Sequence, residues 1–133
     1  MQIYNIQNDK LIELEEKTFK LERDIQNIFE NNLQTVMGLK LICSERTIKN
    51  RRIDTLAFDE QANAFVIIEY KRDRNSSVFD QGITYLQLML QNKADFVLEL
   101  SNLQKRFITK DDIDWTQFRS LDFVRLLSLL PHC

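Results

Sequence analysis

Two apolar runs dominate the chain: Arg52-Ile53-Asp54-Thr55-Leu56-Ala57-Phe58-Asp59, and Ala64-Phe65-Val66-Ile67-Ile68-Glu69-Tyr70-Lys71. Both are short and rich in aliphatic and aromatic residues. The polar segment Asp59-Glu60-Gln61-Ala62-Asn63 joins them, so the pattern predicts two strands with a tight connection. Strand alternation sends Glu69 and Lys71 to one face and Ile68 and Tyr70 to the other. A carboxylate and an ammonium thus emerge together from an otherwise apolar strand. Burying charge there is costly unless the charges are paired or bind something.

If the two strands are antiparallel, Asp54 lies beside the end of the second, and Asp54, Glu69 and Lys71 form one cluster. Two carboxylates at a sheet edge make a hard-oxygen site suited to Mg²⁺, which keeps several waters and is commonly shared with substrate phosphate. A lysine beside them can orient or deprotonate a water and offset charge at a phosphoryl transition state. The chemistry this suits is phosphodiester hydrolysis. A plainer reading, a structural Glu69–Lys71 ion pair in an unrelated α/β domain, stays open on these residues alone.

The pattern Asp54-x14-Glu69-x-Lys71 resembles the core motif of the PD-(D/E)xK nuclease superfamily, in the version found in NucS-like endonuclease domains and related bacterial nuclease-like proteins. Gln81-Gly82-Ile83-Thr84-Tyr85 is similar to the Q-x-x-x-Y helix that follows the motif there. The contexts Arg52-Ile53-Asp54-Thr55-Leu56 and Ile67-Ile68-Glu69-Tyr70-Lys71-Arg72 match as well. The resemblance covers roughly Thr18 to Asn92.

The resemblance implies an α/β (α+β) fold with a restriction-endonuclease-like core: a central mixed sheet flanked by helices, in the order α-β-β-β-α and then a further helix or strand. It implies a metal-dependent endonuclease acting on DNA, with Mg²⁺ or Mn²⁺ as cofactor. Asp54, Glu69 and the Tyr70 carbonyl would hold the metal, Lys71 would position the attacking water, and Gln81 and Tyr85 would support it. A glutamate on the first helix completes the metal site in that family. Glu22 matches the position best by context and Glu30 is the alternative, while a solvated helix flank is the plain reading of both. Many such nucleases are homodimers. The alternative function is a catalytically inactive nuclease-fold module that binds nucleic acid or a protein partner.

Composition narrows the chemistry further. The chain has 133 residues and reads as one domain, with 44% hydrophobic and 29% charged residues, ordinary for a globular protein. No apolar run approaches the ~20 residues that span a bilayer, and no basic-then-apolar leader opens the sequence, so a cytoplasmic protein without a membrane partner is expected. Cys43 and Cys133 are too few for a disulfide framework or a zinc site, and His132 is the lone histidine. Catalysis would therefore come from carboxylates, lysine and metal. The net charge of −2 argues mildly against non-specific DNA binding. Yet Lys49, Arg51, Arg52, Lys71, Arg72 and Arg74 crowd the proposed site. Of these Arg51, Arg52, Arg72 and Arg74 are the candidate nucleic-acid contacts, against the bland reading of a solvated charged edge.

The rest of the chain supplies the frame. Residues 1–17 read as an N-terminal cap or hairpin, 18–92 as the core motif region, and 93–133 as a C-terminal helix and a truncated strand. Apolar spacing from Phe19 to Met37 predicts one amphipathic helix with Thr18 as N-cap and Gly38 at its end. Leu39, Leu41 and Cys43 alternate with Lys40, Ile42 and Ser44, predicting a strand over Leu39–Glu45, with Thr47–Arg51 as a loop or hairpin turn. Arg72–Ser77 is a polar loop beside the site, and a helix then runs to about Asn92. Ala94–Phe107 predicts a further helix, although Phe96-Val97-Leu98 also suits a strand. Lys110–Trp115 reads as a loop whose aspartates are turn residues rather than metal ligands. Leu121–Leu130 reads as a strand or short helix stopped by Pro131.

Overall fold

The computed structural model describes residues 21–70 and 78–122, the side chains of 78–81 excepted. The expected N-terminal cap, the loop 72–77, Lys71, Arg72, Arg74 and the tail beyond Asp122 lie outside the described residues.

Helix α1 covers residues 21–31 and buries Ile25 and Phe29 at an interval of four. The single helix expected over Phe19–Met37 is interrupted at Asn32. There the backbone leaves helical geometry (φ −127°, ψ 18°), and the side-chain Nδ2 donates to the Ile28 carbonyl at 2.8 Å. An asparagine that bonds its own backbone in this way competes with helix propagation. A short α2, Leu33–Met37, follows and stops at Gly38, whose φ of 66° makes a left-handed cap.

Strands β1 (Lys40–Ile48), β2 (Arg51–Asp59) and β3 (Ala64–Ile68) form an antiparallel meander. The β1–β2 connection is tighter than the expected Thr47–Arg51 loop, because Ile48 pairs with Arg51 and leaves Lys49 and Asn50 as the turn. Register shifts between Leu41 and Cys43. An irregularity of this kind breaks the period of two. The strict alternation expected for β1 therefore fails: Leu41 packs on one core, while Ile42 and Cys43 both pack on the other. In the β2–β3 turn, Asp59 Oδ1 accepts from the N–H groups of Gln61 (3.0 Å) and Ala62 (3.2 Å), the local bonding that makes aspartate a turn residue.

Helices α3 (Val78–Gln91) and α4 (Lys93–Gln104) come next, then β4 (Arg119–Leu121), which pairs with β3 in parallel. Phe96 and Val97 are helical and buried, so the helix reading prevails over the strand reading. The helix is shorter than the expected Ala94–Phe107, since Lys105 turns left-handed (φ 53°) and donates to the Ser101 carbonyl. Two 3-10 turns, Lys110–Asp112 and Trp115–Gln117, stand within and after the segment read as a loop. Asp112 and Asp114 cap them, as turn residues do.

The result is a mixed α/β structure: a four-stranded mixed sheet, ordered β1-β2-β3-β4, flanked by helices. Ile25, Phe29 and Leu33 pack with Ala57, Val66, Ile68 and Tyr70 on one face. Leu88, Met89, Phe96 and Leu100 pack with Leu56, Phe58, Phe65 and Ile67 on the other. Strand β3 is buried along its whole length, as expected for an interior strand covered on both sides. No helix among the described residues is long and apolar enough to cross a membrane.

Candidate active site

The register of β2 on β3 determines the site. Thr55 pairs with Ile68, the last pair of the β2–β3 ladder, so Asp54 and Glu69 are the residues that flank its end. Both side chains are buried, at 6% and 8% exposure. Asp54 Oδ2 accepts the backbone N–H of Tyr70 at 3.0 Å, which fixes the aspartate to the residue after Glu69. Beyond Ile68 the ladder continues differently, as the Glu69 N–H donates to the Leu121 carbonyl of β4 at 2.9 Å. Parallel pairing thus holds the Glu69 backbone from one side while Asp54 holds Tyr70 from the other.

From the α3 face, the Tyr85 hydroxyl donates to Glu69 Oε2. Burial is the main cause that pushes the Tyr85 phenol above its ordinary range, followed by the bond to Glu69 and the Glu69 charge, with Asp54 adding in the same sense. Arg51 acts the other way, its guanidinium carbon lying 5.4 Å from the Tyr85 ring centre. One phenol therefore senses both carboxylates and the hairpin arginine.

From the α1 face, Tyr70 is held at its far end as well. Glu30 Oε2 accepts from Thr55 Oγ1 (2.5 Å), Ser44 Oγ (2.7 Å) and Gln26 Nε2 (3.3 Å). The Thr55 hydroxyl has one proton, given to Glu30, so at 3.0 Å it accepts from the Tyr70 hydroxyl. The bonds run in one direction, from Tyr70 through Thr55 to Glu30. Gln26 Nε2 also reaches the Asp54 carbonyl at 3.2 Å. Burial raises the Tyr70 pKa above its ordinary value, and the charges of Glu30, Asp54 and Glu69 add to it.

A cavity of about 220 Å³ opens beside this corner, lined by Glu22, Gln26, Asp54, Tyr70 and Arg52 among others. Arg52 pairs with Glu45 at 2.7 Å on its rim. Of the two helix glutamates considered from sequence, Glu22 shares the cavity with Asp54, whereas Glu30 is occupied with three protein donors. Gln81 lies on α3 one turn before Tyr85.

The oxygens that could hold a hard divalent cation are those of Asp54 and Glu69, with Glu22 across the cavity. Of the two buried carboxylates, Asp54 lines the polar cavity with Glu22 and Tyr70, while Glu69 is turned to Tyr85; an ion at Asp54 would be completed by water. Among the described residues no group of three or more His, Cys, Asp or Glu side chains is gathered closely enough to hold a metal ion. Two contributors escape sequence reading. Thr55 is a hydroxyl inside an apolar strand, and Gln26 sits midway between Glu22 and Glu30 on one helix flank; that spacing was the available signal.

No family model matches the chain, and no solved structure matches it. A protein of Haemophilus influenzae, described as uncharacterized, is 54% identical over 117 residues, which is 88% of this chain and 39% of that protein. The chain thus spans about two fifths of the length of this relative.

Proposed function

We propose that the chain is a metal-dependent endonuclease domain of the PD-(D/E)xK type, built on a restriction-endonuclease-like core and hydrolysing DNA phosphodiester bonds. The observation that carries this reading is the position of two buried carboxylates at one end of the β2–β3 ladder, Asp54 on β2 and Glu69 just past β3, with Asp54 bonded to the Tyr70 N–H. A helix before three antiparallel strands and another after them agrees with the core order that the motif implies.

On this reading Asp54, Glu69 and the Tyr70 carbonyl hold Mg²⁺ or Mn²⁺, with Glu22 binding directly or through water. When bound, the metal would supply Lewis-acid polarisation of the phosphate and a more acidic water. The chain's own part is positional. Asp54 and the Thr55–Glu30 relay hold Tyr70 at both ends, which fixes its carbonyl. Tyr85 donates to Glu69 Oε2 and so orients the carboxylate, while Lys71 positions the water and withdraws charge from the reacting phosphoryl group. On the same reading Arg51 and Arg52, with Arg72 and Arg74, would contact the DNA backbone.

The test is cleavage of flap, mismatched and plain duplex DNA with Mg²⁺ or Mn²⁺, using Asp54→Ala and Lys71→Ala as controls. Metal-dependent cleavage abolished by both substitutions is expected; cleavage that survives both would refute the site. The second reading, an inactive nuclease-fold module, is favoured by one observation: no third acidic group gathers with Asp54 and Glu69 among the described residues. Calorimetric titration of folded protein with Mn²⁺ separates the two, since the inactive module would take up no ion.

A further inference from the structure

At the end of the sheet away from Asp54, a second cavity of about 630 Å³ lies between the β2–β3 turn and the C-terminal end of α4, lined by Lys40, Phe58, Glu60, Asn63, Gln104 and Arg106 among others, with Glu60 paired to Lys40. Its size suits a nucleotide-sized group. Phe58 is four residues from Asp54 along β2, roughly 13 Å at strand rise, so this cleft is separate from the carboxylate corner.

Phe107, the residue after Arg106, is 88% exposed, while the other large hydrophobic side chains exposed among the described residues lie between 38% and 54%. The surrounding segment is Lys105-Arg106-Phe107-Ile108-Thr109-Lys110, followed by Asp111 and Asp112; Asp112 is turned back onto Thr109, so the cations next to the ring are Lys105 and Arg106. Lys40, Arg46, Arg52 and Arg119 each pair with a carboxylate. Lys105, Arg106 and Lys110 do not, among the described residues, and the Arg106 Nε donates instead to the neutral Gln104 side chain at 2.9 Å. A solvent-facing aromatic ring preceded by two cations that pair with no carboxylate among the described residues matches the chemistry of an unpaired nucleotide: a base face to stack and a phosphate to neutralise.

We infer that Phe107, Arg106 and Lys105, which follow α4, form a binding site for single-stranded nucleic acid. The base stacks on Phe107 and the backbone phosphates contact Arg106 and Lys105. A duplex hides its base faces within its own stack, so a lone surface ring discriminates in favour of unpaired strands. With no base-edge donors required, the site tolerates any sequence. It does not rest on the proposed hydrolysis, because none of its residues touches Asp54 or Glu69.

The experiment is fluorescence anisotropy of the full chain with labelled oligothymidylate, oligouridylate and a duplex of equal length, in EDTA so that no metal-dependent cleavage intervenes. Both single strands should bind in preference to the duplex, and the tighter of the two names the sugar. Phe107→Ala should weaken single-strand binding roughly tenfold, with an unchanged circular dichroism spectrum, since an 88% exposed ring contributes little to the core. Arg106→Gln should lower the slope of log affinity against log salt by roughly 0.7. Equal affinity for duplex and single strand, or an unaltered affinity in Phe107→Ala, would overturn the site. So would sedimentation showing that Phe107→Ala abolishes self-association and leaves nucleic-acid binding intact, which would give the ring to a second copy of the chain.

Discussion

Tyr85 is the residue at which most of the local forces meet. Its hydroxyl faces a buried carboxylate, a second carboxylate acts on it from β2, and an arginine lies over its ring. Tyr85→Phe keeps the ring in the core but removes a donor to buried Glu69. The expected cost is about 1–3 kcal/mol, read from the midpoint shift in urea denaturation. On the proposed reaction it should also lower cleavage without abolishing it, because the substitution leaves both carboxylates in place. Cys43 offers a contrasting case. Burial, with the charge of Glu99 next, raises its thiol from 9.0 to about 11, so it is a poor nucleophile at neutral pH. In a Cys133→Ser background, modification by a soluble disulfide reagent at about pH 8 should be far slower than for a free thiol peptide. Urea should restore the rate.

At the scale of elements, what could be read from the sequence depended on whether one interaction or two decided the outcome. The runs of β2 and β3 are apolar and bounded by turn chemistry, so local pattern and burial agree: β2 appears close to its expected limits, whereas β3 stops at Ile68, before the Glu69 that its pattern includes. The approach of Asp54 to the chain just past β3, seen in its bond to the Tyr70 N–H, needed only the antiparallel sense. The break at Asn32 was not legible, because it depends on a side chain choosing a backbone carbonyl over the helix, against an unbroken apolar period. The shift between Leu41 and Cys43 was hidden for a similar reason: both sides of β1 carry apolar residues, so either alternation looks acceptable. The Glu30–Thr55–Tyr70 relay joins α1, β2 and the residues after β3, which no local window contains. Gly38 was legible, and its φ of 66° with open space around the Cα means that conformation, not room, requires glycine. Gly38→Ala should therefore cost roughly 1–2 kcal/mol, measured by chemical denaturation, with no cavity or clash to complicate the result.

For the whole molecule, the site has consequences for stability that run opposite to one another. Tyr70 and Tyr85 ionise above their ordinary 10.0 in the folded chain, and Cys43 above its ordinary 9.0. The unfolded chain therefore releases these protons first as pH rises. Stability should hold constant with respect to these groups below about pH 9 and fall progressively above it, so a thermal melt at alkaline pH checks the sign. Metal would act at the other side of the balance. Asp54 and Glu69 are two buried carboxylates brought together without a second described acid or histidine cluster to share an ion, and like charges in a poorly solvated corner repel. Asp54→Asn keeps an acceptor for the Tyr70 N–H while removing one of those charges, so the metal-free variant should melt at or above the temperature of the parent chain. Adding Mn²⁺ at a hundredfold excess over its dissociation constant should stabilise the parent by about 2.7 kcal/mol and leave Asp54→Asn unmoved. Equal stabilisation of both by Mn²⁺ would place the ion elsewhere. A variant less stable than the parent in EDTA would show that Asp54 serves the fold before it serves any cation.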